Sequence, residues 1–227
     1  MEPVNVAPGL WVLDDILRLP GLRFPVRSGI FQLQSGNLLI LSPLPQIDDA
    51  AAAINVLGRV TAIVAPSALH HLGLPAARLA FPRARVFGPT ALKAKLHGQP
   101  MPEPLVDAAE NPWTGTMELV PIEGMPQLSE TAFFHRSSGT LWLTDLCFNI
   151  RRSDHAPTRI LMRLNGAWNR FGPSRIARSM VRDGRALRRS VDRLLALRPV
   201  RLLLAHGDPV EERATEVLSA AFAHLPR

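Results

Sequence analysis

Short apolar runs, broken by clusters of glycine, proline and small polar residues, set the pattern of the first 145 residues. GLWVLD (9–14), PVRSGIFQL (25–33) and LLILSPL (38–44) predict strands. Gln34-Ser35-Gly36-Asn37 between the last two predicts a hairpin turn. VTAIVA (60–65) is apolar throughout and partly β-branched, the pattern of a strand covered on both faces. ARVFG (84–88), TMELVPIEG (116–124), ETAFFH (130–135) and TLWLTD (140–145) follow as strands, and RLLLAHG (201–207) is the last.

Helical signals lie between and after these runs. Asp48 and Asp49 open IDDAAAAINVLG and Gly58 closes it, acids first and glycine last. Residues 75–82 and PTALKAKLHG (89–98) predict short helices, and 99–115 reads as a proline-rich loop. The second half predicts helices over 158–171 and 174–197, separated by Gly172-Pro173. In the second of these, Ile176, Met180, Leu187, Val191 and Leu194 recur at spacings of three, four or seven and make one apolar stripe. VEERATEVLSAAFAHL (210–225) is a closing amphipathic helix. Strands, flanking helices and a late strand-helix unit predict an α/β or layered α/β/α domain.

Composition narrows this picture. A chain of 227 residues with 47% apolar residues suits one domain over 1–227. No apolar stretch reaches the ~20 residues needed to span a bilayer. The N-terminus MEPVNVAPGLW lacks a basic segment followed by an apolar one, so no secretory signal is expected. The single cysteine, Cys147, permits no internal disulfide and fits a reducing, cytoplasmic setting. The net charge of +7 is uneven: residues 151–201 hold fourteen arginines against Asp154, Asp183 and Asp192. Arg175, Arg178, Arg182, Arg185, Arg189 and Arg193 recur every three or four residues, which would line one helical face. That face reads either as solvated surface or as a contact for nucleic acid, anionic lipid or an acidic partner.

Candidate chemistry clusters at strand ends. His70 and His71 follow VTAIVA, Asp145 ends TLWLTD, and His206 follows RLLLA. In layered α/β folds ligands gather where loops leave strand ends. Imidazole nitrogen and carboxylate oxygen together suit zinc, iron or manganese. Each residue also has a plainer reading, as surface histidine, turn aspartate or tight His-Gly turn. His135 reads as strand-end surface and Cys147 as a buried structural thiol. Ser42 and Ser67 lack a triad partner in the sequence. No Gly-x-Ser-x-Gly elbow, Walker loop or Gly-x-Gly-x-x-Gly occurs, which speaks against serine-hydrolase, P-loop and Rossmann functions.

The succession APSALHHLG, GMPQLSETAFFHRSSGTLWLTDLCFN and LLLAHGDP resembles the metallo-β-lactamase superfamily, and most closely a branch of it described only as a domain of unknown function. The resemblance runs from Gly9 to Asp208 and is weakest over the Arg-rich helical segment 151–198. It implies a four-layer αββα sandwich. Laid on the family's His-x-His-x-Asp-His signature, this chain has Pro66, Ala68, His70 and His71, with the mid-chain histidine position falling near Met125. Asp145 and His206 keep the later ligand positions. The resemblance therefore implies that one of two metal positions has lost its ligands. The other keeps His70, His71, Asp145 and His206 for one zinc, iron or manganese ion.

The expected function is a divergent metal-dependent hydrolase acting on a small-molecule substrate, with catalytic residues beyond the ligands unassigned. The alternative is a catalytically inactive scaffold that binds partners through its Arg-rich helices.

Overall fold

Four consecutive apolar residues, Leu38–Leu41, and five more at Val60–Val64 form two adjacent central strands of a sheet, and an apolar run of this kind requires cover on both faces. The computed structural model describes residues 1–105 and 110–226. The chain divides into two compact units. The first comprises Met1–Asp14, Arg27–Glu118 and Arg136–Ser138, the second Asp15–Val26, Leu119–His135 and Gly139–Arg227.

A seven-stranded sheet follows chain order: β1 (Val4–Ala7), β2 (Leu10–Leu19), β3 (Leu22–Gln32), β4 (Leu38–Leu41), β5 (Val60–Val64), β6 (Arg85–Gly88) and β7 (Glu103–Pro104). β3 and β4 pair antiparallel across the expected turn, with Gly29 opposite Leu41. From β4 to β7 the pairing is parallel. Parallel neighbours need crossovers, and α1 (Ala51–Leu57) and α2 (Leu74–Ala80) lie on them. Every residue of β4 is fully buried, each such leucine or isoleucine contributing roughly 1.5–3 kcal/mol by its removal from water. The loop after β5 carries His70 and His71. Gly73 closes this loop because a side chain there would meet the Pro43 carbonyl oxygen at 2.0 Å.

A four-stranded sheet, in the second unit apart from the start of β8, has the order β11-β10-β9-β8. Its strands are β8 (Met117–Pro121), β9 (Thr131–His135), β10 (Thr140–Leu143) and β11 (Arg201–Leu204). Four helices accompany it: α3 (Ala156–Leu164), α4 (Arg175–Ser179), α5 (Gly184–Ala196) and α6 (Ala214–Ala221). Leu141, Leu143, Leu202 and Leu204 share one core with Leu187, Val191 and Leu194 of α5 and with Leu218 and Phe222 beyond. Most predicted strands are present within one to three residues of the expected ends.

Three differences have clear causes. First, the helix expected over 174–197 is two helices. Ser174 caps α4 by accepting the N–H of Ala177, and Asp183 caps α5 by accepting those of Arg185 and Ala186. The six arginines therefore do not share one face: Arg175 and Arg178 lie on α4, Arg182 in the turn, and Arg185, Arg189 and Arg193 on α5. Second, β2 and β3 run past the expected limits to a turn at Pro20-Gly21, their distal arms counted with the second unit. Third, the 99–115 loop contains the short β7, and residues 106–109 lie outside the described residues. Among the described residues no helix is long and apolar enough to cross a membrane.

Candidate metal centre

β10 and β11 are parallel neighbours in register, with Leu143 opposite Leu204. The chain after each strand therefore leaves from the same end of the sheet. Ala205 continues the ladder by donating its N–H to the Leu143 carbonyl at 2.9 Å. Asp145 and His206, each two residues past the last paired position, come out side by side: His206 Nε2 stands 3.6 Å from Asp145 Oδ1. Both residues are buried, at 8% and 5% exposure.

The rest of His206 is fixed. Its Nδ1 donates to the Pro25 carbonyl at 2.9 Å, so that nitrogen carries the proton and Nε2 presents a lone pair when the ring is neutral. The ring lies between two aromatics. Phe148 stacks on it at 5.5 Å and 10°, and Phe24 tilts against it at 4.5 Å. Gly207 turns the chain away at φ +102°, where a side chain would meet the Asn149 carbonyl oxygen at 2.4 Å. Asn149 grips the same loop: its N–H donates to the His206 carbonyl, and its side-chain amide to the Asp208 carbonyl.

The loop bearing Asp145 is held by Glu130. The Thr144 N–H donates to Glu130 Oε1 at 2.7 Å and the Leu146 N–H to Oε2 at 2.8 Å, one on each side of Asp145. Burial first, and the nearby Asp145 charge second, push the Glu130 carboxyl up to about 7. Cys147 is fully buried as expected, and burial followed by the Glu130 charge pushes its thiol well above the usual range. A thiol so disposed is a packing group rather than a thiolate ligand.

On the first unit, His70 shares a 2.5 Å hydrogen bond between its Nδ1 and the Ser42 hydroxyl. That leaves Nε2 as the nitrogen suited to metal ligation. Ser42 is buried and sits at φ +57°, a left-handed conformation rare for a residue with a side chain. His71 is half-buried, and its Nδ1 is enclosed without a well-formed hydrogen bond. Burial and the Lys95 charge lower its pKa, against a smaller opposing effect of the Ala68 and Leu69 carbonyls. His135 is a correction: it is 1% exposed rather than strand-end surface, and burial lowers its pKa. Pro66 and Ala68 are buried in the loop after β5, and Met125 lies in the core of the second unit.

The donor chemistry suits a metal. His206 Nε2, opposite the nitrogen bonded to the Pro25 carbonyl, faces an Asp145 carboxylate oxygen, and imidazole nitrogen beside carboxylate oxygen is a donor pair that borderline metals take. Two ligand atoms on one tetrahedral ion at ~2.1 Å lie roughly 3.4 Å apart, close to the separation found. Sequence reasoning did not find Ser42, Glu130, Pro25, Phe24 or Phe148. Ser42 alone left a trace, as a polar residue ending an apolar strand.

The chain is similar in structure to metallo-β-lactamases. One from Pontibacter korlensis is 12% identical, with a TM-score of 0.67 over 98% of this chain and 99% of that one. A metallo-β-lactamase from Erythrobacter litoralis is 14% identical, with a TM-score of 0.65 over 98% and 92%. FIM-1 from Pseudomonas aeruginosa, solved in its mono-zinc form, is 10% identical, with a TM-score of 0.67 over 98% and 96%. These similarities establish the metallo-β-lactamase fold that the resemblance implied. No curated protein matches the chain. Over residues 8–191 the sequence matches the family described as "Domain of unknown function (DUF4336)", and the chain belongs to that family.

Proposed function

We propose that the chain is a divergent metal-dependent hydrolase of the metallo-β-lactamase fold, binding one metal ion through His70, Asp145 and His206. The observation that carries this reading is the Asp145–His206 pair, two near-buried groups with His206 Nε2 3.6 Å from Asp145 Oδ1. His70, Asp145 and His206 each offer one ligand atom. Two imidazoles and a carboxylate match the three-ligand sets of catalytic zinc sites, which keep a fourth position open. His71 was expected as a fourth ligand; the group of possible metal donors among the described residues is His70, Asp145 and His206. Without it the tetrahedral shell is not filled by protein. The buried Pro66, Ala68 and Met125, which lack the nitrogen or oxygen donors that hard and borderline metals favour, support one ion rather than two.

A metal ion with an open position supplies a bound water acidified towards neutral pH. The chain's own residues do the positioning. Pro25 fixes the His206 tautomer, Phe24 and Phe148 exclude water from its ring, Glu130 holds the Asp145 loop, and Ser42 orients His70. The binding-scaffold alternative gains nothing from the arginines, which are divided between two helices and a turn. Arg188 and Arg189 are already ion-paired, with Asp192 and Glu123.

The deciding experiment is elemental analysis of untagged protein purified without chelators. About one zinc, iron or manganese per chain is expected, together with turnover of ester, thioester, lactam or phosphoester probes that chelation abolishes. Metal content far below one per chain overturns the metal reading; full metal with no turnover of any probe overturns the hydrolase reading.

A further inference from the structure

Pro25, whose carbonyl holds His206, also lines a cleft of about 350 Å³ in the second unit. Arg18 and Arg23 from the β2–β3 arms face it on one side, and Arg152, Asp154 and His155 on the other. Three guanidiniums meet a single carboxylate, and none of Arg18, Arg23 and Arg152 is ion-paired among the described residues. Exposed positive charge gathered along one cleft raises the local concentration of anions.

The walls of the cleft are tied together. The Arg23 N–H donates to the Thr158 hydroxyl at 2.9 Å. Thr158 is fully buried on α3, and its hydroxyl also bonds His155 Nδ1 at 2.9 Å. Arg159 donates to the Ser153 carbonyl at 3.0 Å and holds the far rim. The hairpin arms are thus anchored to the start of α3 by a backbone contact that leaves the Arg23 side chain exposed in the cleft.

We propose that this cleft binds the phosphoryl group of a small phosphorylated molecule. Three arginines against one aspartate leave two net positive charges, the match for a phosphate monoester dianion rather than a single carboxylate. The volume sits at the small end of ligand pockets, which suits a metabolite-sized molecule and not a polymer. That this molecule is the substrate, delivered beside His206 through the shared Pro25, rests on the metal-hydrolase reading above. Binding in the cleft does not.

The test is calorimetric titration of the full chain, stripped of metal, with inorganic phosphate and with phenyl phosphate at constant ionic strength. Wild type should bind both, with acetate at least tenfold weaker. The double variant Arg18→Ala, Arg152→Ala should bind phosphate at least tenfold more weakly, while Arg185→Ala on α5 should be unchanged. Thermal melting of each variant checks folding. Equal affinity in the double variant, equal binding of acetate, or equal loss in Arg185→Ala overturns the proposal. So does binding of heparin but not of phosphate through the same arginines. Discrimination of this kind in a protein that takes up no metal upholds the cleft and sinks only the metal reading. A metal-loaded protein without it sinks only the cleft.

Discussion

His206 and Asp145 face each other at 3.6 Å across the ends of two parallel strands, and the Pro25 carbonyl fixes which nitrogen of His206 does the facing. The register of β10 and β11 brings the two loops out side by side, since Leu143 and Leu204 are opposite each other, and contacts within the loops hold the pair.

If this pair holds the proposed metal, loss of either partner should empty the site while leaving the fold. Asp145→Asn keeps the shape and one oxygen but removes the charge, and His206→Ala removes a ligand. Both should bind zinc about a hundredfold more weakly or worse, a loss exceeding the 10–100-fold typical of removing a neighbour that only orients a ligand. Elemental analysis and competition with a chromophoric chelator measure it. Wild-type zinc affinity in both variants would remove the pair from the metal site.

Ser42 separates orientation from strain. Ser42→Ala loses the hydroxyl bonded to His70 and keeps a side chain at φ +57°, whereas Ser42→Gly loses the hydroxyl and removes the backbone cost. Left-handed backbone at a residue with a side chain costs on the order of 1 kcal/mol. Ser42→Gly should thus be the more stable of the two in urea unfolding. Both should lower zinc affinity about 10–100-fold, because His70 is no longer oriented. A serine that only packs would change stability and leave zinc binding alone.

Gly207 ties the fold to the site. A methyl group there would lie 2.4 Å from the Asn149 carbonyl oxygen, at a φ of +102° that L side chains rarely adopt. Backbone cannot yield as a flexible side chain can, so Gly207→Ala should cost at least ~2 kcal/mol. The His206 carbonyl accepts the Asn149 N–H in the same loop, so metal affinity should fall together with stability. Urea unfolding and zinc titration on the same samples check the link, and a stable Gly207→Ala with intact zinc binding would break it.

The sequence disclosed the strands because their apolar runs are short, unbroken and punctuated by glycine and proline. It placed His70, Asp145 and His206 at strand ends for the same reason. The arms of β2 and β3 escaped because Asp14-Asp15 interrupts the run, and the residues beyond alternate with both faces partly exposed. The break between α4 and α5 was hidden by a seven-residue step from Met180 to Leu187, which preserves the apolar stripe while skipping the turn where Asp183 starts a new helix. His135 shows the reverse error, a polar strand end that is buried. Glu130 left no local trace, since it receives N–H groups from residues 14 and 16 positions later in the chain.

Glu130 also gives the protein a specific pH dependence. Its carboxyl is raised from the usual 4.5 to about 7 in the fold. The folded state therefore holds the proton more tightly than the unfolded chain. The associated stability is fully present below pH ~4.5 and is lost as pH rises to ~7, a change of about 3 kcal/mol. Lowered pKa values at His71 and His135 act oppositely, lowering stability as pH falls below ~6.5, but they are common to wild type and variant. Glu130→Gln removes the titration and sets its amide against one of the two N–H donors, a pH-independent cost of about 1–3 kcal/mol. For metal-free protein in urea, wild type should be the more stable at pH 5. The gap should close or invert by pH 8. Parallel stability curves over that range would mean that Glu130 is already ionised in the fold, and that its two N–H donors outweigh both its burial and the charge of Asp145.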